Sequence, residues 1–555
     1  MKGFVKSTIF LITILFFLNF TAASAINVVP SIDFNVDKDY DADTRQKIPA
    51  ILVQTSPNIY FYVEKKYWDS WNQIEKSEIL DALNNLSYEF DSAIYPGLTS
   101  VFGKESRPGL DGDNKITVLF HNIKTNVTGY VRSADGYSKL QVPNSNEKEM
   151  VYLSVAQIRN LKLKEFLAHE FTHLIEFNQK DKIHGVQEEI WLSEARADYA
   201  STLLGYDNSY VGSNLQRRVK DFLERPDDSL TEWSNSKYDY AVVNLFTHYL
   251  VDHYGIRILG DSLKLNSTGI KSVNQALLSA SVKENFSQIF TNWTITMIVN
   301  NCSINLKYCY LDRNLGNLRI NPSLIFIPLT GSSSLSVTNF TKNWTGNWQK
   351  IVGGNGNLNL QFSSLNNLDF KVPYILTDKG NNQSVTFLEF DKNKTGEINI
   401  EDFNNQYSSL VVVSSLQNNT SGFNGSELTH SYILAVSNNQ NRQDDIDVMQ
   451  KLLAQIELLK KQIADLQNNS GNNALCLTLN SNLYKGISNR SAVSCLQQFL
   501  KSQGSDIYPE GLVTGFFGNL TKTAVINFQK KYNILQTGFV GILTREKINQ
   551  LLNGR

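Results

Sequence analysis

Apolar residues recur at helical spacing through Lys76–Phe90 and Lys162–Gln179, and they alternate or cluster as strands would in Lys115–Phe120 and Met150–Ser154. This mixture runs from about Ile26 to Leu311 and predicts a domain of the α+β class. After Asn314 the texture changes. Short alternating runs, among them Asn357–Phe362, Ser384–Phe390 and Ser408–Ser415, are separated by Gly, Asn, Asp and Ser. That pattern predicts a small antiparallel all-β sandwich over residues 312–440.

Residues 441–473 change character again. Met449, Leu452, Ile456, Leu459, Ile463 and Leu466 are spaced 3-4-3-4-3, a heptad seam with Ile at two a positions and Leu at d. Such a seam favours a parallel homodimer through 449–466, although it spans fewer heptads than a long coiled coil. One helix packing on a neighbour, or a stiff spacer, satisfies the same spacing. Asn468–Asn473 (NNSGNN) then reads as a flexible linker.

Residues 474–555 contain an internal repeat. Thr514-Gly515-Phe516-Phe517-Gly518-Asn519-Leu520-Thr521 recurs as Thr537-Gly538-Phe539-Val540-Gly541-Ile542-Leu543-Thr544. Glycine permits a tight turn in each copy, and the closing Thr is a candidate N-cap for helices over Lys522–Tyr532 and Arg545–Leu552. A third helix, Ser491–Gln503, presents Val493, Leu496 and Leu500 at core spacing. The module resembles the peptidoglycan-binding domain-like family. The resemblance rests on Val493, Leu496, Gln497, Leu500, Thr514, Gly515, Phe517, Gly518, Thr521, Ala524, Val525, Phe528, Gln529, Gly538, Val540, Gly541 and Thr544. It implies a three-helix fold that docks on cell-wall peptidoglycan.

Composition narrows the class. A chain of 555 residues, 41% hydrophobic and 19% charged with 30 Phe and 24 Tyr, has ample material for several packed cores. Its 52 basic and 53 acidic residues leave a net charge of -1, which gives no support to a nucleic-acid partner or to anionic membranes. Residues 1–25 read as a signal peptide. Lys2 and Lys6 precede the apolar stretch Ile9–Phe20, and Ala23-Ser24-Ala25 offers a cleavage site. Twelve helical residues reach about 18 Å, short of the ~30 Å hydrocarbon core, so the mature chain is expected to be secreted or wall-associated without a membrane span. Export favours disulfides, and sequence proximity pairs Cys302 with Cys309 and Cys476 with Cys495.

The chemistry centres on His169-Glu170-Phe171-Thr172-His173, a rare constellation in a chain with seven His. On one helix His169 and His173 lie one turn apart, so both imidazoles reach one ion. Glu170, about 100° round, is placed to take the proton of a water that attacks a carbonyl, while one zinc ion lowers that water's pKa. A second helix, Trp191–Tyr199, carries Glu194 and Asp198 four apart. Glu194 is the expected third ligand, and Asp198 is expected to accept the outer N–H of a ligand His. Glu188 and Glu189 are rival ligands. The chain here looks like a gluzincin metallopeptidase, similar to the hyicolysin-like group over roughly residues 50–300, which makes residues 26–311 the metallopeptidase domain. Several gluzincin families use a Tyr on a later helix to stabilise the oxyanion, which points to Tyr240, with Tyr238, His248 and His253 as alternatives. A metzincin reading fails, because position 179 is Gln179 and not His.

Asp391–Asp402 places oxygens at positions 1, 3, 5 and 12 with Gly396 at 6, as a calcium loop would. The strand-like run before it and Asp at position 12 favour a plain turn. The expectation is therefore an exported zinc endopeptidase, acting on foreign protein or on wall cross-link peptides. The alternative is a non-catalytic wall-adhesion protein with an inactive zincin fold.

Overall fold

The computed structural model describes residues 30–423, 425, 427–439, 454–462, 478–487 and 489–554. It forms two compact units that divide between residues 448 and 449. The expected signal peptide, Cys476, the linker 468–473 and four of the six heptad positions lie outside the described residues.

The first unit opens with a six-stranded mixed sheet. Its strands are β1 (Ser31–Asn35), β2 (Lys47–Thr55), β3 (Ile59–Glu64), β4 (Ile116–His121), β5 (Gly129–Val131) and β6 (Met150–Ser154), in the order β1-β2-β3-β4-β6-β5. β3, β4 and β6 run parallel, and β5 closes the edge antiparallel to β6. The period of two decides what each side buries. Ile116, Val118, Phe120, Val151 and Leu153 face the helices, whereas Leu119, Met150 and Tyr152 join Phe34, Ile48 and Tyr62 in a smaller core on the opposite face. That is why β4 and β6 read as continuous apolar runs.

Among the described residues, ten α-helices follow or interleave before the sandwich: α1 (Lys65–Ser70), α2 (Gln73–Glu89), α3 (Tyr95–Phe102), α4 (Leu163–Glu176), α5 (Ile190–Leu203), α6 (Asn214–Glu224), α7 (Lys237–Tyr254), α8 (Arg257–Leu263), α9 (Gly269–Ser279) and α10 (Phe286–Val299). Their boundaries are chemical. Asn72 with Glu75, Ser236 with Asp239 and Asn285 with Gln288 form capping boxes at the starts of α2, α7 and α10. α7 stops at Gly255, whose φ of 84° a side chain would disfavour. Cys302 and Cys309 form the expected disulfide just after α10.

The remainder of the first unit is a β-sandwich. One sheet orders β14 (Thr395–Ile400), β10 (Asn357–Ser364), β16 (His430–Asn439) and β8 (Ser333–Thr341). The other orders β13 (Gln383–Phe387), β12 (Pro373–Asp378), β15 (Tyr407–Leu416), β9 (Asn347–Gly353) and β7 (Ser323–Ile327), with β11 (Phe370–Lys371) also paired to β15 and the short α11 (Phe403–Gln406) leading into it. The expectation of a wholly antiparallel domain is corrected at β7, which pairs parallel to β9. The sandwich is also not separate from what precedes it. Leu410 and Val412 of β15 fill the space between its sheets, whereas the intervening Val411 and Val413 join the core of the helical region. Trp344 packs edge-on against Phe286 and Phe290, and the Trp348 indole donates to the Thr294 carbonyl. A boundary at 311/312 therefore crosses a continuous core.

At Asp391, where the sequence favours a plain turn over a calcium loop, the chain makes a turn leading into β14. The Asp391 carboxylate accepts the backbone N–H groups of Asn393 and Thr395, and six residues of strand then carry the chain about 16 Å further on.

In the second unit, α12 (residues 454–462) is helical and leaves Ile456 and Leu459 exposed. The C-terminal module contains α13 (Arg490–Ser502), α14 (Asn519–Lys531) and α15 (Ile542–Asn553) around a core of Val493, Leu496, Phe517, Val525, Phe528 and Val540. Thr521 and Thr544 are not N-caps. The helices start three residues earlier than expected, behind Gly518 and Gly541, and both hydroxyls are held by buried glutamines.

Candidate metal centre

α4 buries Leu167, Phe171 and Leu174 against the sheet, which turns His169 and His173 toward α5. Their rings meet edge to face at 80°, with the two Nε2 atoms 3.2 Å apart. From α5, Glu194 places Oε2 3.3 Å from His169 Nε2 and Oε1 3.7 Å from His173 Nε2. One ligand atom from each of the three side chains lies within 4.8 Å of the others. Two nitrogens bound tetrahedrally to zinc at about 2.05 Å stand roughly 3.3 Å apart, close to the spacing found. Glu194 Oε2 is buried, and among the described residues it faces the His169 imidazole without forming a geometric hydrogen bond. The donor set thus fits a zinc ion, which His169, His173 and Glu194 would hold.

The protonation pattern agrees. Although burial opposes it, Glu194 draws His169 up to about 9, while burial, reinforced by the charge on His169, takes His173 down to about 4. Burial would raise the Glu194 carboxyl, but His173 and His169 hold it below the usual range. The cluster keeps one proton between two imidazoles, and a divalent cation would displace it. His173 Nδ1 lies 3.1 Å from Ser193 Oγ, a contact that orients the ring with Nε2 inward.

Glu170 is buried beside this cluster. Burial pushes its carboxyl up to about 7, with His169 opposing and Glu194 adding to the shift. It lies under the edge strand. A Cβ at Gly129 on β5 would come 2.9 Å from Glu170 Cγ and 2.7 Å from Leu153 Cδ2, so only glycine lets the strand approach so closely.

Asp198 does not accept a ligand histidine's N–H. Among the described residues it binds Arg218 through both oxygens, at 3.0 and 2.6 Å, and also Asn214 and Asn244. One turn beyond Glu194, its carboxylate points to α6 and α7, and Ser193 takes the role expected of it. The rival ligands are engaged elsewhere. Glu188 pairs with buried Arg196 and Lys180, and Glu189 accepts from the Trp191 indole. Tyr240 packs between the Arg218 guanidinium and Trp233, and its hydroxyl donates to Asn235. Burial raises its pKa, with Glu194, Asp198 and Glu170 adding to the shift. Tyr238 instead sits against Lys237 and Arg225. His248 contacts Thr202 and Tyr199, and His253 the Cys309 carbonyl.

Tyr40 gave no signal in the sequence. Its ring stacks on Tyr130 of β5 at 4.5 Å, Tyr130 stacks on Tyr152, and both Glu170 and Glu194 help burial to raise its pKa. The loop that carries it is pinned by the neighbouring buried Asp41, which contacts His121 and Arg45.

Residues 489–548 match the family of peptidoglycan binding domains. No curated protein matches the chain. Among solved structures it is similar to the pre-peptidase C-terminal domain of a collagenase from Bacillus anthracis, at 9% identity over 21% of this chain and 96% of that one, TM-score 0.15. It is also similar to PliG, a periplasmic inhibitor of g-type lysozyme from Aeromonas hydrophila, at 10% identity over 21% and 98%, TM-score 0.15. The mitogen derived from Yersinia pseudotuberculosis matches at 14% identity over 20% and 89%, TM-score 0.14. TM-scores this low define no fold for the chain. No helix among the described residues is long and apolar enough to cross a membrane. The C-terminal module is a peptidoglycan-binding domain, and it associates the chain with the cell wall.

Proposed function

We propose that the chain is an exported zinc-dependent endopeptidase that its C-terminal domain holds at the cell wall. The observation that supports this most is the convergence of His169, His173 and Glu194 within reach of one ion, with Glu170 buried alongside. A zinc ion bound there would polarise a carbonyl and acidify water. Glu170, with its pKa near neutrality, takes the proton of the attacking water and passes it to the leaving amine. The Ser193 contact orients the His173 ring. Tyr240 and Tyr40 carry phenols whose pKa values both site carboxylates raise, and each is a candidate donor to the developing oxyanion.

Parallel zymography on a protein gel and on purified peptidoglycan tests the reading, with Glu170→Gln as the blank. The expected outcome is clearing by wild type on one substrate and a loss of at least about 10²-fold in the variant, with zinc content and melting temperature unchanged. Equal clearing by both proteins removes Glu170 as the base, and no clearing by zinc-loaded wild type leaves a non-catalytic wall-adhesion protein as the better account.

A further inference from the structure

The two copies of the C-terminal repeat are built alike down to single hydrogen bonds. Gln497 on α13 donates through Nε2 to the Phe516 carbonyl and the Thr521 hydroxyl, and its Oε1 accepts from the N–H groups of Thr514 and Gly515. Gln529 on α14 donates to the Phe539 carbonyl and the Thr544 hydroxyl, and accepts from the N–H of Gly538. Gly515 and Gly538 have φ of 72° and 69°. A Cβ on either would strike a cationic stem, Arg490 under the first turn and Lys522 under the second, each seven residues before its glutamine.

What each turn then displays is also alike. Phe517 and Val540 are fully buried, but Phe516 and Phe539, at equivalent positions, are 62% and 39% exposed. Each ring folds back over the glycine two residues on. An added Cβ would lie 3.2 Å from Phe516 Cε1 at Gly518 and 2.8 Å from Phe539 Cε1 at Gly541. The rings are therefore positioned before any ligand arrives, and Tyr484 stacks beside Phe539 with half of its own surface exposed. A small module gains no core stability from two exposed phenylalanines, so their repetition at matched sites calls for a ligand.

We propose that Phe516 and Phe539 are paired stacking platforms for the pyranose rings of a peptidoglycan glycan strand. The proposal rests on the wall-binding reading of this module and adds the residues and the part of the polymer they take. A sugar's C–H face suits the face of an aromatic ring, whose quadrupole is negative there. The glycan is the component of the wall that repeats in one direction, so each copy of the turn can engage a sugar of the same strand. The two weak contacts then reinforce each other as linked sites do.

The test is sedimentation of the full chain with purified peptidoglycan sacculi, in EDTA so that no hydrolysis intervenes. Phe516→Ala and Phe539→Ala should each weaken binding about tenfold and the double variant about a hundredfold, with an unchanged melting profile because both rings are exposed. Phe516→Trp and Phe539→Trp should retain binding. Peptide-free glycan oligomers should compete, and free stem peptides should not. Wild-type affinity in the double variant, or competition by stem peptides alone, overturns the platform and leaves wall binding intact. Failure of wild type to sediment with sacculi overturns both.

Discussion

The candidate metal cluster, built on His169–His173 with Glu194 from the next helix, and the C-terminal turns treat polar atoms in opposite ways. In the turns, every polar atom of Gln497 and Gln529 has a partner within the module, so the motif is a scaffold and its binding capacity lies in what it leaves exposed. In the cluster, two imidazoles and a carboxylate converge and one oxygen is left without a hydrogen bond. Buried polar groups are normally satisfied. The contrast shows that a motif's function is read from its unsatisfied groups where they are buried, and from its exposed rings where they are not.

Asp198→Asn should break the comparison hardest, on the side of the cluster. It removes the buried charge that Arg218 meets through two hydrogen bonds. The first unit should lose about 3–5 kcal/mol in denaturant unfolding, because an uncompensated buried guanidinium remains. Zinc affinity should follow this loss of folding and not a direct contact. Gln497→Ala should act on the other side. With two backbone donors and two acceptors released, the C-terminal module should lose about 2–3 kcal/mol, seen as a separate lower-melting transition with the first unit unaffected.

These two variants also show how far the sequence carried. The spacing of His169, Glu170 and His173 and the four-residue step from Glu194 to Asp198 are local, so their faces follow from helix geometry alone. The partner of Asp198 was not legible, since Arg218 and Asn244 reach it from α6 and α7, helices that sequence spacing does not orient. Nor was the exclusion of Glu188, which depends on Arg196 and Lys180 closing around it. Tyr40 arrives by way of sheet order, through a loop pinned more than eighty residues from the helix it approaches. In the sandwich, Leu410-Val411-Val412-Val413 was legible as a strand. That both of its faces are buried, against different cores, was not.

A smaller effect sharpens the comparison from outside both regions. Burial pushes the Glu149 carboxyl up to about 7, with Asp111 and Glu105 adding to the shift. The folded chain holds that proton more tightly than the unfolded one. Its contribution to stability is therefore full below about pH 4.5 and declines as pH rises to about 7. Glu149→Gln should flatten that decline by about 1 kcal/mol when unfolding is compared at pH 5 and pH 8. An unchanged slope would remove Glu149 as its source.

Metal content tests the central claim most directly. Wild type, dialysed against zinc and then freed of loose metal, should carry about one zinc per chain, and Glu170→Gln should carry the same because Glu170 is not a ligand. Glu194→Gln and His169→Ala should lose most of it while remaining folded. Full zinc in Glu194→Gln, or none in wild type, would contradict the account.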